Sequence, residues 1–233
     1  ARVAALAALA DLDAPQLDRA MDAIDADAPV PLRKRAVALL SKRSPDKAVP
    51  VLGTLLENAS IGERQAACEA LGDLQHASAT ALLREWLQRL DDGQVPAAIQ
   101  LDLYEAAGKH EALRDAVDAR QRAAAARGPL GAFQVCLEGG DARKGRRVFH
   151  DVEAVRCTRC HTLRGNGGNA GPVLDDVGLR YTPELLLESV ILPSARIAEG
   201  FTTTTLELTD SSVLSGVITK DQDGQVTIVD ING

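Results

Sequence analysis

Apolar positions in the first half of the chain recur at spacings of three and four residues, as in Leu52, Leu55 and Leu56. This spacing places side chains on one face of an α-helix, so it predicts amphipathic helices. The pattern also repeats after about 31 residues, so that Leu52 corresponds to Leu83. A period of this length is typical of helical solenoids, in which helix pairs stack because one pair cannot bury its apolar face alone.

The repeating pattern covers residues 1–127, and each unit is predicted to contain two helices joined by a short turn. The first ten residues are interpreted as the first helix of a unit, since Asp11 and Asp13 end the apolar run too early for a signal peptide. A looser fourth copy aligns Gly72 with Gly108. The pattern resembles HEAT-like repeats, and an irregular helical bundle is the alternative.

The pattern changes in the middle of the chain. Gly128 and Pro129 end the helical run, and residues 128–140 are predicted to form a connector. Asp141 is a suitable N-cap for a new helix. From Phe201 onward, β-branched segments alternate with turns rich in Asp, Ser and Gly. They predict a three-stranded antiparallel meander with strands over residues 202–208, 213–219 and 225–231.

Composition and charge narrow the classes of function. Hydrophobic residues make up 45% of the chain, which predicts a folded protein. The net charge of −7 argues against nucleic acid as a partner. No stretch of the sequence is apolar and long enough to predict a transmembrane helix. The basic residues are dispersed apart from one short cluster, which consists of Arg143, Lys144, Arg146 and Arg147.

Two cysteines and two histidines stand outside any motif. Cys68 and Cys136 each follow apolar residues, so both are predicted to be buried thiols rather than partners in a disulfide. His76 and His110 occupy corresponding turns between helices. We expect both to be turn or surface residues rather than metal ligands. The repeats therefore contain no predicted catalytic constellation.

A compact motif follows in the second half of the chain, where two residues separate Cys157 from Cys160 and His161 comes directly afterwards. A C-x-x-C-H run is the attachment signature of haem c. On one helical turn the two thiols can reach both vinyl groups of a porphyrin. The adjacent imidazole can then bind the iron from the proximal face. The motif predicts a covalent haem with His161 as the proximal ligand.

Three other interpretations of this motif stay open. The two cysteines could be half of a zinc site completed by His150, His161 or a distant cysteine, although no second pair has zinc spacing. They could be a thioredoxin-like redox pair, but no strand of a βαβ pattern precedes them. The third interpretation is a chance occurrence of the motif.

The residues around the motif resemble a class I cytochrome c. Asp141 begins a predicted helix that contains Gly145 and Phe149. In that family a glycine and an aromatic residue so placed let the first helix cross the last one closely. A Gly-Pro-Val-Leu segment follows the motif. The resemblance implies that Pro172 packs on His161 and that its carbonyl oxygen accepts the imidazole Nδ1–H.

The order of further segments narrows the resemblance to residues 137–233. These segments are Gly139-Gly140-Asp141, the glycines from Gly165 to Gly168, Leu185 to Ser189, Pro193 and Ile197 to Phe201, followed by the meander. The order is similar to the haem-binding domain of the planctomycete and verrucomicrobium type. It implies a cytochrome domain over residues 141–200, with the meander of residues 201–233 as part of it.

That family also implies a setting for the domain. Such domains typically sit at the C-terminal end of long secreted proteins, behind helical repeats and often behind a sugar-dehydrogenase-like β-propeller. Haem attachment takes place outside the cytoplasm. We therefore expect a periplasmic or secreted protein whose targeting signal is not in this sequence.

The resemblance further implies the surroundings of one haem c. Arg180 and Tyr181 follow the Gly-Pro-Val-Leu segment, where propionates often find donors. Arg180 is expected to bind a propionate, with an ordinary exposed arginine as the alternative. The glycines at 165, 167 and 168 predict a tight loop rather than a phosphate-binding one, since no strand precedes them. The rest of the pocket wall is expected to consist of Pro172, Val173, Leu174, Leu186 and Ile191.

The second axial ligand is the point at which the chain departs from the family pattern. The one methionine, Met21, belongs to the first repeat as core filler, and no histidine follows His161. We expect the parent chain to continue past Gly233 into a segment with the distal methionine and the closing helix. The alternatives within the chain are His150, Lys220 or an open site, so the distal ligand is left unassigned.

Together these observations predict a mainly α protein, in which a HEAT-like α-solenoid precedes a class I cytochrome c helical domain with a three-stranded β meander. The predicted function is electron transfer by a covalent haem, with a redox protein or a dehydrogenase domain as partner. The chain alone is not expected to be an enzyme, whereas its parent could be a sugar dehydrogenase or another oxidoreductase. The alternatives are a five-coordinate haem enzyme or gas sensor, and an interaction protein whose haem is structural.

Overall fold

The computed structural model describes residues 1–24 and 28–230. The chain divides into two compact units, Ala1–Gly140 and Asp141–Gly233. No helix in the described part of the chain is both long and apolar enough to cross a bilayer. The helices of the first unit are α1 (Arg2–Asp11), α2 (Leu17–Asp22), α3 (Val30–Arg43), α4 (Pro45–Asn58), α5 (Ile61–Asp73), α6 (Ala77–Asp91), α7 (Gln100–Gly108) and α8 (Glu111–Ala125), with 3-10 helices over Ala97–Ile99 and Gly131–Cys136.

The helices follow the period that the sequence predicts. α3 begins at Val30 and α5 begins at Ile61, which is a shift of 31 residues. α4 and α6 correspond in the same way, and Leu52 on α4 and its equivalent Leu83 on α6 are both fully buried. The predicted helical repeats are therefore confirmed, including a helix over the first ten residues.

The core of the first unit is continuous across the repeats. One cluster of buried side chains runs from Ala48 on α4 to Val117 on α8. A smaller cluster joins α1, α2 and α3 through residues such as Leu6 and Leu17. Met21 packs against this smaller cluster, which confirms its predicted role as core filler. Each fully buried leucine stabilises the fold by about 1.5–3 kcal/mol.

Helices α5 and α7 approach each other closely at Gly72. A Cβ atom at this position would lie 2.8 Å from the Ala106 Cα atom, so a larger residue would push the two helices apart. At Gly108, which the repeat aligns with Gly72, none of the described residues would come within 4 Å of such a Cβ atom. The two glycines share a position in the repeat but have different packing roles.

An ion pair links α3 to α5. The Arg33 guanidinium donates from Nε to Glu63 Oε1 over 2.8 Å, and the Ser60 hydroxyl donates to Glu63 Oε2 over 2.7 Å. The Glu63 side chain is buried. The hydrogen bond from Ser60, and after it Arg33, holds the pKa of this carboxyl below its ordinary value. The fold therefore stabilises the charged form of Glu63.

The two histidines of the repeats differ in burial. Both occupy turns as predicted, since His76 precedes α6 and His110 precedes α8. His110 occupies its turn in a buried position and is 2% exposed. Its Nε2–H donates to the Leu71 carbonyl oxygen over 2.9 Å, and its Nδ1 forms a hydrogen bond with the Thr80 hydroxyl over 2.8 Å. The imidazole can be buried because both of its nitrogens have partners.

The two isolated cysteines also differ in burial. Cys68 is fully buried on α5, as predicted, and this burial raises its pKa to about 12. The predicted burial of Cys136 is wrong, because its residue is exposed at the end of the 3-10 helix Gly131–Cys136. None of the six residues of that helix is buried, so it lies on the surface of the first unit. Residues 128–140, the predicted connector, are part of the first unit.

The second unit begins with α9 (Ala142–Asp151), whose predicted N-cap is confirmed. The Asp141 carboxylate accepts hydrogen bonds from the backbone N–H groups of Arg143 and Lys144, over 2.8 Å and 3.1 Å. The elements that follow are α10 (Cys157–Cys160), β1 (Thr162–Leu163), β2 (Asn166–Gly167), α11 (Val177–Arg180), α12 (Pro183–Ile191), β3 (Thr203–Glu207), β4 (Val213–Gln222) and β5 (Gln225–Asp230).

Strands β3, β4 and β5 form a three-stranded antiparallel sheet in chain order, which confirms the predicted meander. β4 ends at Gln222, later than predicted, because the turn to β5 takes only Asp223 and Gly224. These two residues have φ angles of 56° and 75°, which suit a two-residue hairpin turn. The predicted third strand extends to Ile231, which lies outside the described residues.

Candidate functional site

The C-x-x-C-H motif folds as one helical turn followed by an extended residue. Cys157 and Cys160 are the first and last residues of α10, and the backbone N–H of His161 donates to the Cys157 carbonyl oxygen over 3.0 Å. Arg156, just before the turn, has a left-handed φ of 43°. Both thiols are free and half-buried. Two thiols and an imidazole therefore lie within one turn of the chain.

The His161 ring is oriented by the backbone of Pro172. The distance between His161 Nδ1 and the Pro172 carbonyl oxygen is 2.9 Å. A carbonyl oxygen can only accept, so Nδ1 carries the proton of this hydrogen bond. In the neutral imidazole, Nε2 then keeps its lone pair and is free to bind a metal. This hydrogen bond lies where the resemblance to class I cytochromes implies one.

The loop after His161 is fixed to the motif by backbone hydrogen bonds. The Gly171 N–H donates to the Cys160 carbonyl over 2.7 Å, and the Leu174 N–H donates to the Thr162 carbonyl over 2.9 Å. The Thr162 hydroxyl donates to the Gly168 carbonyl over 2.6 Å. The Gly-Pro-Val-Leu segment is therefore held against the motif along its whole length. Thr162 lies outside the C-x-x-C-H motif, and nothing in its sequence context distinguishes it.

Glycine is required where this loop touches the motif. A Cβ atom at Gly171 would lie 2.7 Å from His161 Cε1, so any side chain there would displace the imidazole. A Cβ atom at Gly168 would overlap the Arg159 carbonyl oxygen. The tight loop predicted from the glycines at 165, 167 and 168 is present, as the β1–β2 hairpin.

Arg180 folds back onto the same segment. Its Nη2 donates to the carbonyl oxygens of Val173 and Asp175, over 3.2 Å and 3.0 Å. The guanidinium carbon lies 5.8 Å from the centre of the Tyr181 ring. Because a guanidinium has five N–H donors, the side chain keeps further donors for an anion. The loop thus positions Arg180 and Tyr181 beside the Gly-Pro-Val-Leu segment.

The predicted pocket wall falls into two groups. Pro172, Val173 and Leu174 belong to the loop that hydrogen bonds connect to His161. Leu186 and Ile191 lie on α12, whose hydrogen bonds among the described residues connect it only to its own neighbours. Both residues are half-buried, whereas Val173 is 52% exposed. Hydrogen bonds therefore connect the first group to the motif, and none of those in the described part of the chain connects α12 to it.

His150 and Lys220, the two candidates within the chain for the distal ligand, lie on different elements of the second unit. His150 lies near the end of α9, with its ring centre 5.0 Å from that of Phe149 in an edge-on arrangement. It also lines a groove with Thr158 and Arg159, the two residues between the cysteines. Lys220 is an exposed residue of β4.

The surroundings of the two cysteines bear on the alternative interpretations of the motif. Among residues 1–24 and 28–230, no three His, Cys, Asp or Glu side chains form a group that could hold a metal ion. α10 follows the helix α9, and the nearest strands form the short β1–β2 hairpin after it. This arrangement lacks the βαβ context of a thioredoxin-like pair.

The second unit exposes its apolar side chains. Val217 is its one buried hydrophobic residue in the described part of the chain. Leu179 is 87% exposed and Val190 is 76% exposed. The second unit therefore leaves large apolar side chains exposed to solvent. The unit offers two thiols for covalent attachment, an imidazole nitrogen for a metal and apolar surface for packing.

Comparison with known proteins gives a family match within the first unit. The model of the HEAT repeats family matches residues 17–101, from the start of α2 into α7. This match supports HEAT-type repeats in the first unit. Neither a comparison with curated proteins nor one with solved structures gives a match.

Proposed function

We propose that the second unit is a c-type cytochrome module, with one haem c bound through thioethers to Cys157 and Cys160 and with His161 as the proximal iron ligand. The observation that carries this proposal is the hydrogen bond from His161 Nδ1 to the Pro172 carbonyl oxygen. It supports a fixed tautomer with Nε2 available to iron, one residue after a turn that carries two free thiols. When bound, haem supplies one-electron chemistry at a potential set by its axial ligands.

The roles of the remaining residues follow from their positions. Gly171 lets the loop approach the imidazole, and Pro172 keeps the Nδ1 proton in place. Arg180, which is already bound to the carbonyls of Val173 and Asp175, keeps donors that would bind a propionate. Leu174, Leu186 and Ile191 would exclude water from the macrocycle.

The burial pattern gives a second line of support. A domain of about 90 residues normally buries most of the apolar surface of its unfolded chain. The second unit buries one hydrophobic residue, Val217, in its described part. A haem packed among side chains such as Val173 and Leu179 would supply the apolar contacts that the protein's own residues do not make.

The first unit would serve as a scaffold. HEAT repeats commonly mediate protein interactions, and a solenoid offers an extended surface for a partner. We therefore propose an electron carrier that is not an enzyme alone and that works within a larger secreted or periplasmic oxidoreductase. Its redox partner would be a dehydrogenase domain or another carrier.

The test is expression of the full chain in the periplasm of a host that attaches haem c. We expect the mass of the protein to increase by one haem, a c-type spectrum and a reversible redox wave. Cys157→Ser and Cys160→Ser should each remove one thioether, whereas Cys136→Ser, at an exposed cysteine outside the motif, should change nothing. Two unmodified thiols at Cys157 and Cys160 in the matured protein would refute the proposal.

A second candidate is a five-coordinate haem enzyme or gas sensor. It is favoured by one observation, which is that neither methionine nor histidine follows His161 in the sequence. Rapid and complete binding of carbon monoxide by the ferrous protein would support it. A six-coordinate low-spin spectrum would exclude it in favour of the electron carrier.

A further inference from the structure

The β1–β2 hairpin contains a dipeptide that has no part in the proposed attachment of haem. Asn166 is followed by Gly167, and both residues are exposed. Among the other asparagines of the chain, Asn58 and Asn169 precede alanine, whereas Asn232, which also precedes glycine, lies outside the described residues. Asparagine is a labile residue, and it is most labile before glycine, whose backbone nitrogen can approach the asparagine amide without hindrance from a side chain.

The hairpin leaves the backbone nitrogen of Gly167 out of the strand ladder. Leu163 and Asn166 close a turn of two residues, both of which have left-handed φ angles, 51° and 76°. In such a turn the closing pair carries the ladder hydrogen bonds, and the next pair, Thr162 with Gly167, does not. The Thr162 carbonyl oxygen accepts instead from the Leu174 N–H over 2.9 Å. The Gly167 nitrogen is therefore not tied to β1.

The fold requires glycine after this asparagine. Gly167 has a φ of 125°, and a Cβ atom there would overlap the His161 carbonyl oxygen. The unhindered nitrogen is therefore a consequence of how closely the hairpin approaches the motif. The amide of the exposed Asn166 side chain donates from Nδ2 to the Arg164 carbonyl oxygen over 3.2 Å. An exposed amide and an unhindered nitrogen thus lie in adjacent residues.

Asn166 borders a cavity that contains positive charge. This cavity of about 430 Å³ is also lined by Arg146 of α9 and by Arg164 of the hairpin. None of the described residues in its lining is an Asp or Glu. Attack on an amide places negative charge on its oxygen, and cationic donors close by stabilise such an oxyanion. The surroundings of Asn166 therefore favour attack on its side chain.

We propose that Asn166 is a site of spontaneous deamidation in the folded protein. The Gly167 nitrogen attacks Asn166 Cγ, so that a new C–N bond forms while the bond between Cγ and Nδ2 breaks. The proton of the Gly167 nitrogen leaves with the amide nitrogen as ammonia, and a cyclic succinimide remains. Water then opens the ring at either carbonyl carbon, which yields aspartate or isoaspartate. Haem takes no part in these steps, so the proposal is independent of the proposed function.

The modification would act on the loop that holds His161. In isoaspartate the backbone runs through the former side chain and gains one methylene group. The next residue but one is bonded to the motif on both sides, because the Gly168 N–H donates to the Thr158 carbonyl oxygen over 2.9 Å and the Gly168 carbonyl oxygen accepts from the Thr162 hydroxyl over 2.6 Å. A longer backbone before Gly168 would displace it from these partners. Isoaspartate should therefore loosen the loop, whereas aspartate leaves the backbone unchanged.

The first test follows the full chain during incubation at near-neutral pH, both with haem attached and without it. Peptide mapping by mass spectrometry measures the mass shift of deamidation, and fragment ions separate Asn166 from Asn169, which share a tryptic peptide. Enzymatic methylation of isoaspartate gives an independent measure. Asn166 should be converted while Asn58 and Asn169 stay intact. An unchanged Asn166 in the folded chain would overturn the proposal, and its conversion only after unfolding in urea would show that the fold protects it.

Two variants of equal net charge test the contribution of the cavity. The test variant is Arg146→Gln with Arg164→Gln, and the control variant is Arg84→Gln with Arg114→Gln, at exposed arginines of the first unit. Conversion of Asn166 should slow about fivefold in the test variant and keep the wild-type rate in the control variant. In urea the two rates should be equal, because the cavity is lost. Equal rates in the folded protein would refute the role assigned to the two arginines.

A third variant tests the consequence for the loop. Asn166→Ser removes the reacting amide, so it should abolish the modification. Hydrogen exchange then compares fresh and aged protein, and the Gly168 amide should lose protection in the aged wild type but not in aged Asn166→Ser. Equal protection in all four samples, with isoaspartate present in the aged wild type, would overturn the effect on the loop. The measurement requires no haem, so a failure of the proposed function would appear separately, as an absent c-type spectrum.

Discussion

The two units of this protein bury apolar residues to very different extents. In the first, leucines such as Leu52, Leu83 and Leu103 are fully buried and form a core that continues from repeat to repeat. In the second, Val217 is the one buried hydrophobic residue in the described part of the chain. The difference indicates two sources of stability. The repeats are stabilised by contacts among their own side chains, whereas the haem proposed for the second unit would supply the apolar contacts that its own side chains do not make.

The largest expected effect is a difference in resistance to protease. In protein made without haem attachment, we expect the second unit to be digested at least about tenfold faster than the first, because it has few buried contacts to protect it. Limited proteolysis followed by mass spectrometry of the fragments measures this. Haem attachment should remove most of the difference. Similar digestion rates for both units in the protein without haem would contradict the comparison.

Two leucine substitutions, one in each unit, test the difference in burial through the free energy of unfolding. Leu83→Ala, in the core of the first unit, should lower the free energy of unfolding by about 2–5 kcal/mol, because it leaves a cavity. Leu179→Ala, at a residue that is 87% exposed, should change it by less than about 0.5 kcal/mol in the protein without haem. Urea unfolding followed by circular dichroism gives both values. The comparison would fail if the two losses were alike.

Substitution of two glycines of the second unit distinguishes an effect on the attachment site from a general effect on the unit. In Gly171→Ala, the added methyl group would lie 2.7 Å from His161 Cε1 and displace the ring from the Pro172 carbonyl. We expect a lower yield of haem-loaded protein and a loss of about 1–3 kcal/mol in its stability. Gly178→Ala is the matched control, since none of the described residues would come within 4 Å of its methyl group. Equal yields from the two variants would show that the loop does not position His161.

The smallest expected effect is a dependence of the stability of the first unit on pH. The pKa of Glu63 in the folded protein lies below its ordinary value of 4.5, first because of Ser60 and then because of Arg33. A lowered pKa contributes stability above the ordinary value, and this contribution is lost as the pH falls through the folded pKa. Glu63→Gln should therefore cost about 1–2 kcal/mol near neutral pH and less in acid.

Thermal unfolding over a range of pH measures this prediction for Glu63. Glu138→Gln, at an exposed residue, is the control and should behave as the wild type. A cost of Glu63→Gln that stayed constant between about pH 7 and pH 3 would rule out the proposed linkage.

The repeats were predictable from the sequence because stacking repeats the same burial every 31 residues. Leu52 and Leu83 could be assigned to the core from spacing alone. His110 could not, because its burial depends on the Thr80 hydroxyl and the Leu71 carbonyl, which are distant in sequence. Cys136 follows apolar residues, yet the 3-10 helix that contains it lies on the surface.

In the candidate site, the sequence predicts the arrangement of neighbouring residues better than it predicts the contacts between separate segments. Cys157, Cys160 and His161 are adjacent, so their placement on one turn follows from spacing. The hydrogen bonds that hold the loop after them join backbone atoms that lie ten or more residues apart, such as the N–H of Gly168 and the carbonyl oxygen of Thr158, and these pairings are not specified by side-chain identity. The two halves of the predicted pocket wall, residues 172–174 and 186–191, are separated by α11. Their relation to the motif depends on packing that side-chain patterns do not specify.

The spacing of equivalent helices also limits how the first unit can change in length. α3 and α5 occupy equivalent places in the array, and so do α4 and α6. If one complete repeat of two helices is removed or duplicated, the helices that become adjacent occupy the same kind of position as before. The row of buried leucines then continues without interruption. An insertion of one residue within a helix would instead rotate that row by about 100°, toward water. Changes in length by whole helix pairs therefore disturb the array least.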